Sequence, residues 1–381
     1  MSHTTASLAA ARWSISTVFL LNGAGIGLWA AHVPVVQART GIDTGTLSMV
    51  LLTIAAGALL AMPLMGGFTA RWGTRRMTLL SGFAFAALLA VIMGISDLRL
   101  LFLAAFAFGV SNGALDVAMN ANASEVETAR GVPTMSSFHG FFSLGGLLGA
   151  GLGGIFIGQG WGDGQGALAM GVLTAMALAA AAPRVLAFAP SHEGGSHFQL
   201  PRGAALGLGL LALLCFAVEG ALVDWSALLM QERTGALPAT AALAYSAFSI
   251  AMAACRFAGD RMILRFGALR VMVLGGLAMF AGLATAVMST HFLLSAAGFA
   301  LIGIGAANVV PLLFGAASRI PGMSAGAGVA AVATLGYGGL LLAPPVLGYI
   351  ASQASIMVAL GALSLSGLVI AMSARIIQRH T

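Results

Sequence analysis

The sequence predicts an all-α membrane protein, with twelve transmembrane helices in two pseudo-symmetric six-helix bundles. Three observations carry that prediction. The 381-residue chain is 59% apolar and only 7% charged, with a mean hydropathy of +0.99. Soluble domains carry about 25% charged residues, and a chain with so few charges cannot cover a water-facing surface, so lipid must be most of its solvent. The apolar residues also gather in runs long enough to cross about 30 Å of hydrocarbon, which takes about 20 helical residues. Finally, the two halves repeat each other's motifs at a nearly constant offset.

In chain order the runs fall near 13–36, 46–69, 77–96, 100–123, 134–158, 165–188, 204–230, 238–261, 269–289, 292–316, 324–350 and 353–376. The N-terminal MSHTTASLAAARW lacks the basic stretch, short apolar core and small-residue site of a cleaved leader, so the first run is expected to stay as a membrane helix. All seventeen basic residues are arginine. With both termini cytoplasmic, only Arg39, Arg99 and Arg233 fall outside and the other fourteen lie at or near the inside. An odd number of spans would destroy that asymmetry. The same placement explains the net charge of +6: basic residues that end apolar runs act as topology signals, and no nucleic-acid partner is expected.

The longest polar connection, with APSHEGGSHFQLPRG, divides the chain into an N-terminal bundle (1–188), a central cytoplasmic linker (189–203) and a C-terminal bundle (204–381). His192 and His197 there have flanking glycines and no further ligands nearby, so they read as solvated loop residues and no metal is expected. Cys215 and Cys255 lie inside apolar runs, which argues against both a disulfide and a zinc site.

The repeat is explicit in several places. RWGTRRMTLLSG at 71–82 aligns with RFGALRVMVLGG at 265–276, and GVSNGALDVAMNANAS at 109–124 aligns with GIGAANVVPLLFGAAS at 303–318, both at an offset of 194. RTG occurs at 39–41 and 233–235, again 194 apart, and NGAG from Asn22 matches EGAL from Glu219 at the slightly larger offset of 197. Parallel six-helix repeats of this kind put a substrate site between the halves.

On these residues the chain resembles the major facilitator superfamily over essentially its whole length. The family's loop signature after the second span, a glycine followed by Asp-Arg-x-Gly-x-Arg, stands here as GGFTARWGTRR, with Gly66, Arg71, Gly73 and Arg75 matching and Ala70 in the acidic position. The counterpart CRFAGDRMILRFGALR carries Asp260, Arg261 and Arg265. It resembles the fucose-proton symporter branch and its bacterial inner-membrane relatives, as do GALDVAMN and FHGFFSLGG. The resemblance implies a conformational gate at Gly66, Arg71, Gly73, Arg75, Asp260, Arg261 and Arg265, with the missing carboxylate at Ala70 weakening the first half of it. GGLLGAGLGG in the fifth span is similar to the antiporter motif of drug-proton exchangers, with Ala150 where that motif has proline. Close helix packing is the simpler reading of its glycines.

Charged groups deep in a membrane cost at least about 2.5–3.5 kcal/mol on insertion scales, so they face a cavity or a partner. Away from the loops these are Asp116, His139, Glu219, Asp224 and Arg256, with His32 nearer the outer face. Asn112, Asp116 and Asn120 share one helix face by their spacing of four, and the family resemblance implies that this face lines the cavity. Asp116 lies nine residues before Glu125, about 13 Å along the helix, and His139 six residues after Pro133, about 9 Å. Desolvation and a neighbouring imidazolium act on a carboxyl in opposite senses, so such a group can load and release protons near neutral pH. A static hydrogen bond to a neighbouring helix is the alternative role for Asp116, and donation to a backbone carbonyl is that for His139. Their second-half counterparts are apolar, Val310 and about Val332. Glu219 aligns with Asn22 and adds a second candidate carboxylate, five residues from Asp224 and so off its stripe. Trp225 reads as an interfacial anchor or a stacking ring. Arg256 reads as snorkelling to the surface or pairing with a carboxylate. Asn308 and Pro311 are placed to line or bend the tenth span.

The expected function is a proton-coupled secondary transporter moving a small polar solute, such as a sugar or related metabolite, by alternating access. Asp116, His139 and Glu219 are the proton-coupling candidates. Asn22, Asn112, Asn120, Asp224, Trp225 and Asn308 are the cavity candidates. A proton-driven exporter of drug-like or metabolite compounds and a non-transporting receptor or scaffold are the alternatives. No nucleophile with a placed base is visible, so no enzyme is expected. Protons are the coupling ion, no other cofactor is expected, and the partners are the solute and membrane lipid. The chain is expected to be a multi-pass monomer in a bacterial cytoplasmic membrane.

Overall fold

A computed structural model describes residues 5–161, 164–187, 202–236, 238–241 and 243–379. Its helices, in order, are α1 (Thr5–Thr40), α2 (Thr44–Trp72), α3 (Thr74–Ile92), α4 (Leu98–Arg130), α5 (Met135–Gly158), α6 (Gln165–Ala181), α7 (Ala204–Thr234), α8 (Pro238–Ala241), α9 (Leu243–Phe266), α10 (Ala268–Met288), α11 (Phe292–Ala306), α12 (Val309–Ala317), α13 (Ala325–Gln353) and α14 (Ile356–Ser373). There is no strand among the described residues. Polar residues between apolar runs start several of these helices. Asp43 accepts from the Thr46 N–H at 2.7 Å, Asp97 from Leu100 at 2.9 Å and Ser355 from Val358 at 3.2 Å, each satisfying an N–H that the helix itself leaves open.

Eleven helices among the described residues are long and apolar enough to cross a membrane, with α11 and α12 together forming one of them. The twelfth of the expected set is α9. Its 24 residues span about 36 Å, but it is less apolar and carries Arg256, Asp260, Arg261 and Arg265. The run expected at 292–316 is interrupted at Ala307 and Asn308. Pro311 is the physical reason: it has no N–H to return to the carbonyl four residues earlier, which belongs to Ala307.

The chain forms two compact units. Unit 1 comprises 1–132, 138–199 and 322–330, and unit 2 comprises 133–137, 200–321 and 331–381. The linker segment 188–201, with His192 and His197, lies outside the described residues.

Within each unit the helices approach through glycine. In unit 1 a Cβ at Gly145 or Gly149 would strike the Leu20 or Ala24 carbonyl oxygen of α1, and one at Gly109 the Ile54 carbonyl of α2. In unit 2, Gly282 and Gly298 meet across α10 and α11, and Gly276 and Gly367 across α10 and α14. In lipid, where apolar side chains gain little by leaving their solvent, close backbone packing of this kind is a main source of helix association. Large apolar side chains such as Leu147, Ile250, Leu293 and Met372 are correspondingly exposed.

The sequence repeat is repeated in the backbone. Gly73 and Gly267, 194 residues apart, have φ/ψ of 82°/149° and 81°/150° at the α2–α3 and α9–α10 junctions. Gly41 and Gly235, closing the two RTG motifs, both have φ 66°. The arginines of those motifs do equivalent work: Arg39 donates to the Ile95 carbonyl at 3.1 Å and Arg233 to the Met288 carbonyl at 3.0 Å.

Candidate functional site

In unit 1 the spacing of four along α4 produces the expected stripe. Asp116 and Asn120 are buried and Asn112 is partly buried. Asn22 of α1 donates its amide to the Asn112 side-chain oxygen at 2.8 Å. Asn120 donates to the Asp116 carboxylate at 3.3 Å and to its backbone carbonyl at 2.9 Å. The Nε2 of His139, on α5, lies 3.1 Å from the Asn120 Oδ1. Since an amide oxygen only accepts, Nε2 carries the proton there. His139 therefore reaches Asp116 through Asn120, whose two amide atoms face the carboxylate and the imidazole. Phe19 of α1 holds the imidazole edge-on, with ring centroids 5.5 Å apart, so α1, α4 and α5 all meet at this point. His32, by contrast, is fully buried and bonded to the Leu28 carbonyl of its own helix at 2.9 Å.

Unit 2 has a different arrangement. Glu219 of α7 faces Arg256 of α9, with Oε2 3.8 Å from Nη2 and both side chains largely buried. The Arg256 Nε donates to the Ala307 carbonyl at 3.3 Å, the group that Pro311 leaves without its helical partner. Arg256 is thus a buried side chain bound to a carboxylate and a helix break, not one reaching for the surface. Cys215 donates its thiol to Glu219 at 3.6 Å. Asn308 is buried at the break, and its amide donates to the Cys255 sulfur at 3.6 Å. Trp225 is partly buried, with its ring against Gly348. The Asp224 side chain lies outside the described residues.

The gate candidates separate into groups that are buried or half-buried and groups that are exposed. Asp260 accepts from the Ser136 N–H at 3.1 Å and from the Ser137 N–H at 3.3 and 3.2 Å, through its two oxygens. A carboxylate at the start of α5 is favoured by the open N–H groups and the positive end of the helix dipole. It also explains why 133–137 group with unit 2. Gly66, the repeat equivalent of Asp260, packs instead on the Ala327 backbone in the first turn of α13, within unit 1. Arg75 donates to the Ala182 carbonyl at 3.1 Å. Arg71, Arg261 and Arg265 are exposed. Arg71 and Arg265 lie 5.9 and 5.4 Å from the ring centroids of Trp72 and Phe266, the residues that follow them.

Two residues stand out: Arg256, which the sequence offers as either snorkelling or paired, and Glu125, which its place in the sequence does not mark. Arg256 was signalled by Pro311, but only if the orphaned carbonyl is traced to its donor. Glu125 lines a small cavity of about 50 Å³ with Thr69, Ala70, Thr74 and Ser324, and accepts from the Thr74 hydroxyl. A carboxylate from α4 therefore stands in the cavity that Ala70 lines.

Residues 14–233 match the sequence model of the Major Facilitator Superfamily. An uncharacterised MFS-type transporter of Yersinia pestis is 37% identical over 366 residues, covering 96% of this chain and 95% of that protein. This chain belongs to the major facilitator superfamily. The membrane protein MosC of Rhizobium meliloti is also similar, 32% identical over 372 residues, 96% of this chain and 90% of that one. Among solved structures, the Escherichia coli fucose:proton symporter superposes with a TM-score of 0.78 at 15% identity, covering 97% of this chain and 99% of that one. The human organic anion transporter MFSD10 superposes at 0.75 and 16%, covering 96% and 99%. At such identities the structures share the facilitator fold alone. Membership makes the chain a multi-pass membrane transporter, not an enzyme. The glycines of its fifth span, Gly145 and Gly149, are accounted for by packing on α1.

Proposed function

We propose that this facilitator is a proton-coupled secondary transporter that moves a small polar solute by alternating access, with Asp116 as the proton-carrying group. The observation that carries the reading is the buried chain Asp116–Asn120–His139. A carboxylate whose oxygen is met by a neutral amide can hold or lose a proton without losing that hydrogen bond, because the amide donates to either form. His139, reached through the same amide, is a second protonatable group within one side chain of the first. Asn22 and Asn112 add amide donors and acceptors beside this chain, which suits a hydroxyl-bearing solute. Two of the fold neighbours are described as proton symporters, of fucose and of xylose, in keeping with the reading.

Glu219, Asp260 and the loop arginines have supporting parts in the same proposal. Glu219 keeps Arg256 and the broken tenth span in place, and Asp260 steadies the first turn of α5. The distribution of the arginines supports a bacterial cytoplasmic membrane with both termini inside. A membrane potential supplies about 2.3 kcal/mol per charge per 100 mV, enough for about fifty-fold accumulation.

Reconstituted vesicles with an imposed pH gradient test this. A panel of sugars and polyols is screened for solute-dependent proton flux in the wild type, then Asp116→Asn is compared. The proposal expects flux in the wild type, and in the variant counterflow without gradient-driven accumulation. Proton flux preserved in the variant would overturn the assignment, and no flux with any solute would favour a non-transporting role.

A further inference from the structure

Unit 2 contains a cavity of about 220 Å³ that the transport reading does not use, lined by Met262 and Phe266 of α9, Val271, Leu274, Gly275 and Ala278 of α10, and Ile304, Gly305 and Asn308. Its walls are almost wholly apolar. Small residues leave it hollow: Gly275 and Gly305 pack α10 directly against α11 and send no side chain into the space. At the equivalent positions of the first repeat stand Ser81 and Ser111. Phe266, Leu274 and Ile304 are among the exposed large hydrophobic side chains, so the space meets the molecule's outer, lipid-facing surface.

One end of this cavity carries charge of a single sign. Arg265 lies over the ring of Phe266, 5.4 Å from its centroid, and Arg270 directly precedes Val271. Both are exposed. Arg261 adds a third cation one turn back on α9, and in residues 256–280 the sole acid is Asp260, whose oxygens accept from Ser136 and Ser137. These arginines flank the α9–α10 turn, where both spans end, and so sit at the level of lipid head groups. From there Val271 to Ala278 runs about 10 Å along α10, an apolar track that begins beside the cations.

We infer that this is a binding site for an anionic phospholipid of the surrounding membrane, with an acyl chain in the cavity and the phosphate between Arg265 and Arg270. The charge decides between lipid classes: a zwitterionic head group gains little from two arginines, whereas an anionic one gains from each.

Native mass spectrometry of the full-length protein in detergent, with dioleoyl phosphatidylglycerol or dioleoyl phosphatidylethanolamine added, tests the site. The wild type is expected to retain one phosphatidylglycerol in preference to phosphatidylethanolamine. Arg265→Gln/Arg270→Gln should weaken that retention by about fivefold for each arginine lost. Ala278→Leu, which fills the cavity without touching the arginines, should weaken retention of both lipids. Circular dichroism of the lipid-free variants checks that they fold as the wild type does, and Arg270→Gln alone serves if the double variant does not. Equal retention of the two lipids, unchanged retention in the arginine variants, unchanged retention in Ala278→Leu, or displacement of the lipid by inorganic phosphate would each overturn the inference.

Discussion

The two units hold their buried carboxylates by different chemistry. In unit 1 Asp116 is met by the amide of Asn120, which is neutral. In unit 2 Glu219 is met by the guanidinium of Arg256, which also binds the Ala307 carbonyl. An amide donor serves a carboxylate and a carboxylic acid alike. A guanidinium does not, because protonating Glu219 would remove the anion that a buried cation faces, and uncompensated buried charge is costly. The first arrangement tolerates a change of charge, and the second is stable while its charge stays as it is. That difference is the ground for proposing Asp116 rather than Glu219 as the proton carrier, although both side chains are carboxylates in apolar helices.

The sharpest way to break this comparison is to exchange protonation for chemistry. Asp116→Asn should reduce gradient-driven accumulation from about fifty-fold at 100 mV to none, while thermal unfolding in detergent shifts by less than about 1 kcal/mol, since the new amide still accepts from Asn120. Arg256→Met should do the reverse to stability. With Glu219 left buried and facing no cation, a loss of about 3–5 kcal/mol is expected in the same unfolding measurement, and Glu219→Leu in that background should recover much of it. Comparable destabilisation by the two single variants would erase the distinction between the units.

A smaller effect tests the helix break. Pro311→Ala supplies the N–H that the Ala307 carbonyl lacks, so in a double-mutant cycle it should reduce the cost of Arg256→Met by about 1 kcal/mol. Additive effects would mean that the Arg256–Ala307 bond contributes nothing. A separate test is the packing contrast on α5. Gly149→Ala forces a methyl group into the Ala24 carbonyl and should cost about 1–3 kcal/mol, whereas Gly151→Ala, where a Cβ meets nothing within 4 Å, should be near neutral. Equal unfolding midpoints for those two would remove glycine packing as the account of GGLLGAGLGG.

Much of the fold was legible because lipid imposes it. Apolar runs of about 20 residues have few structures open to them in a membrane other than a helix, and the 194-residue repeat is as plain in the glycines at 73 and 267 as in the letters around them. The stripe on α4 was equally readable, since spacing by four sets a helix face whatever surrounds it. The partners were harder. Depth along two helices placed Asp116 near His139, but the intervening Asn120 amide depends on how α4 and α5 are rotated. For Arg256 the sequence leaves both the surface and a carboxylate open, because the deciding group, the Ala307 carbonyl, sits in a helix break 51 residues away.

The sequence by itself therefore determined the solvent, the helices, the repeat and the short list of charged residues that lipid would not tolerate alone. Those properties follow from local composition and spacing, which are independent of how helices pack. Only the tertiary structure decided which partners the other helices bring: the His139 imidazole that Asn120 links to Asp116, a guanidinium for Glu219, a helix start for Asp260, and a cavity beside Ala70 for Glu125. A buried charge is settled by groups within a few ångströms, and here those groups come from other helices, so no reading along one helix could supply them.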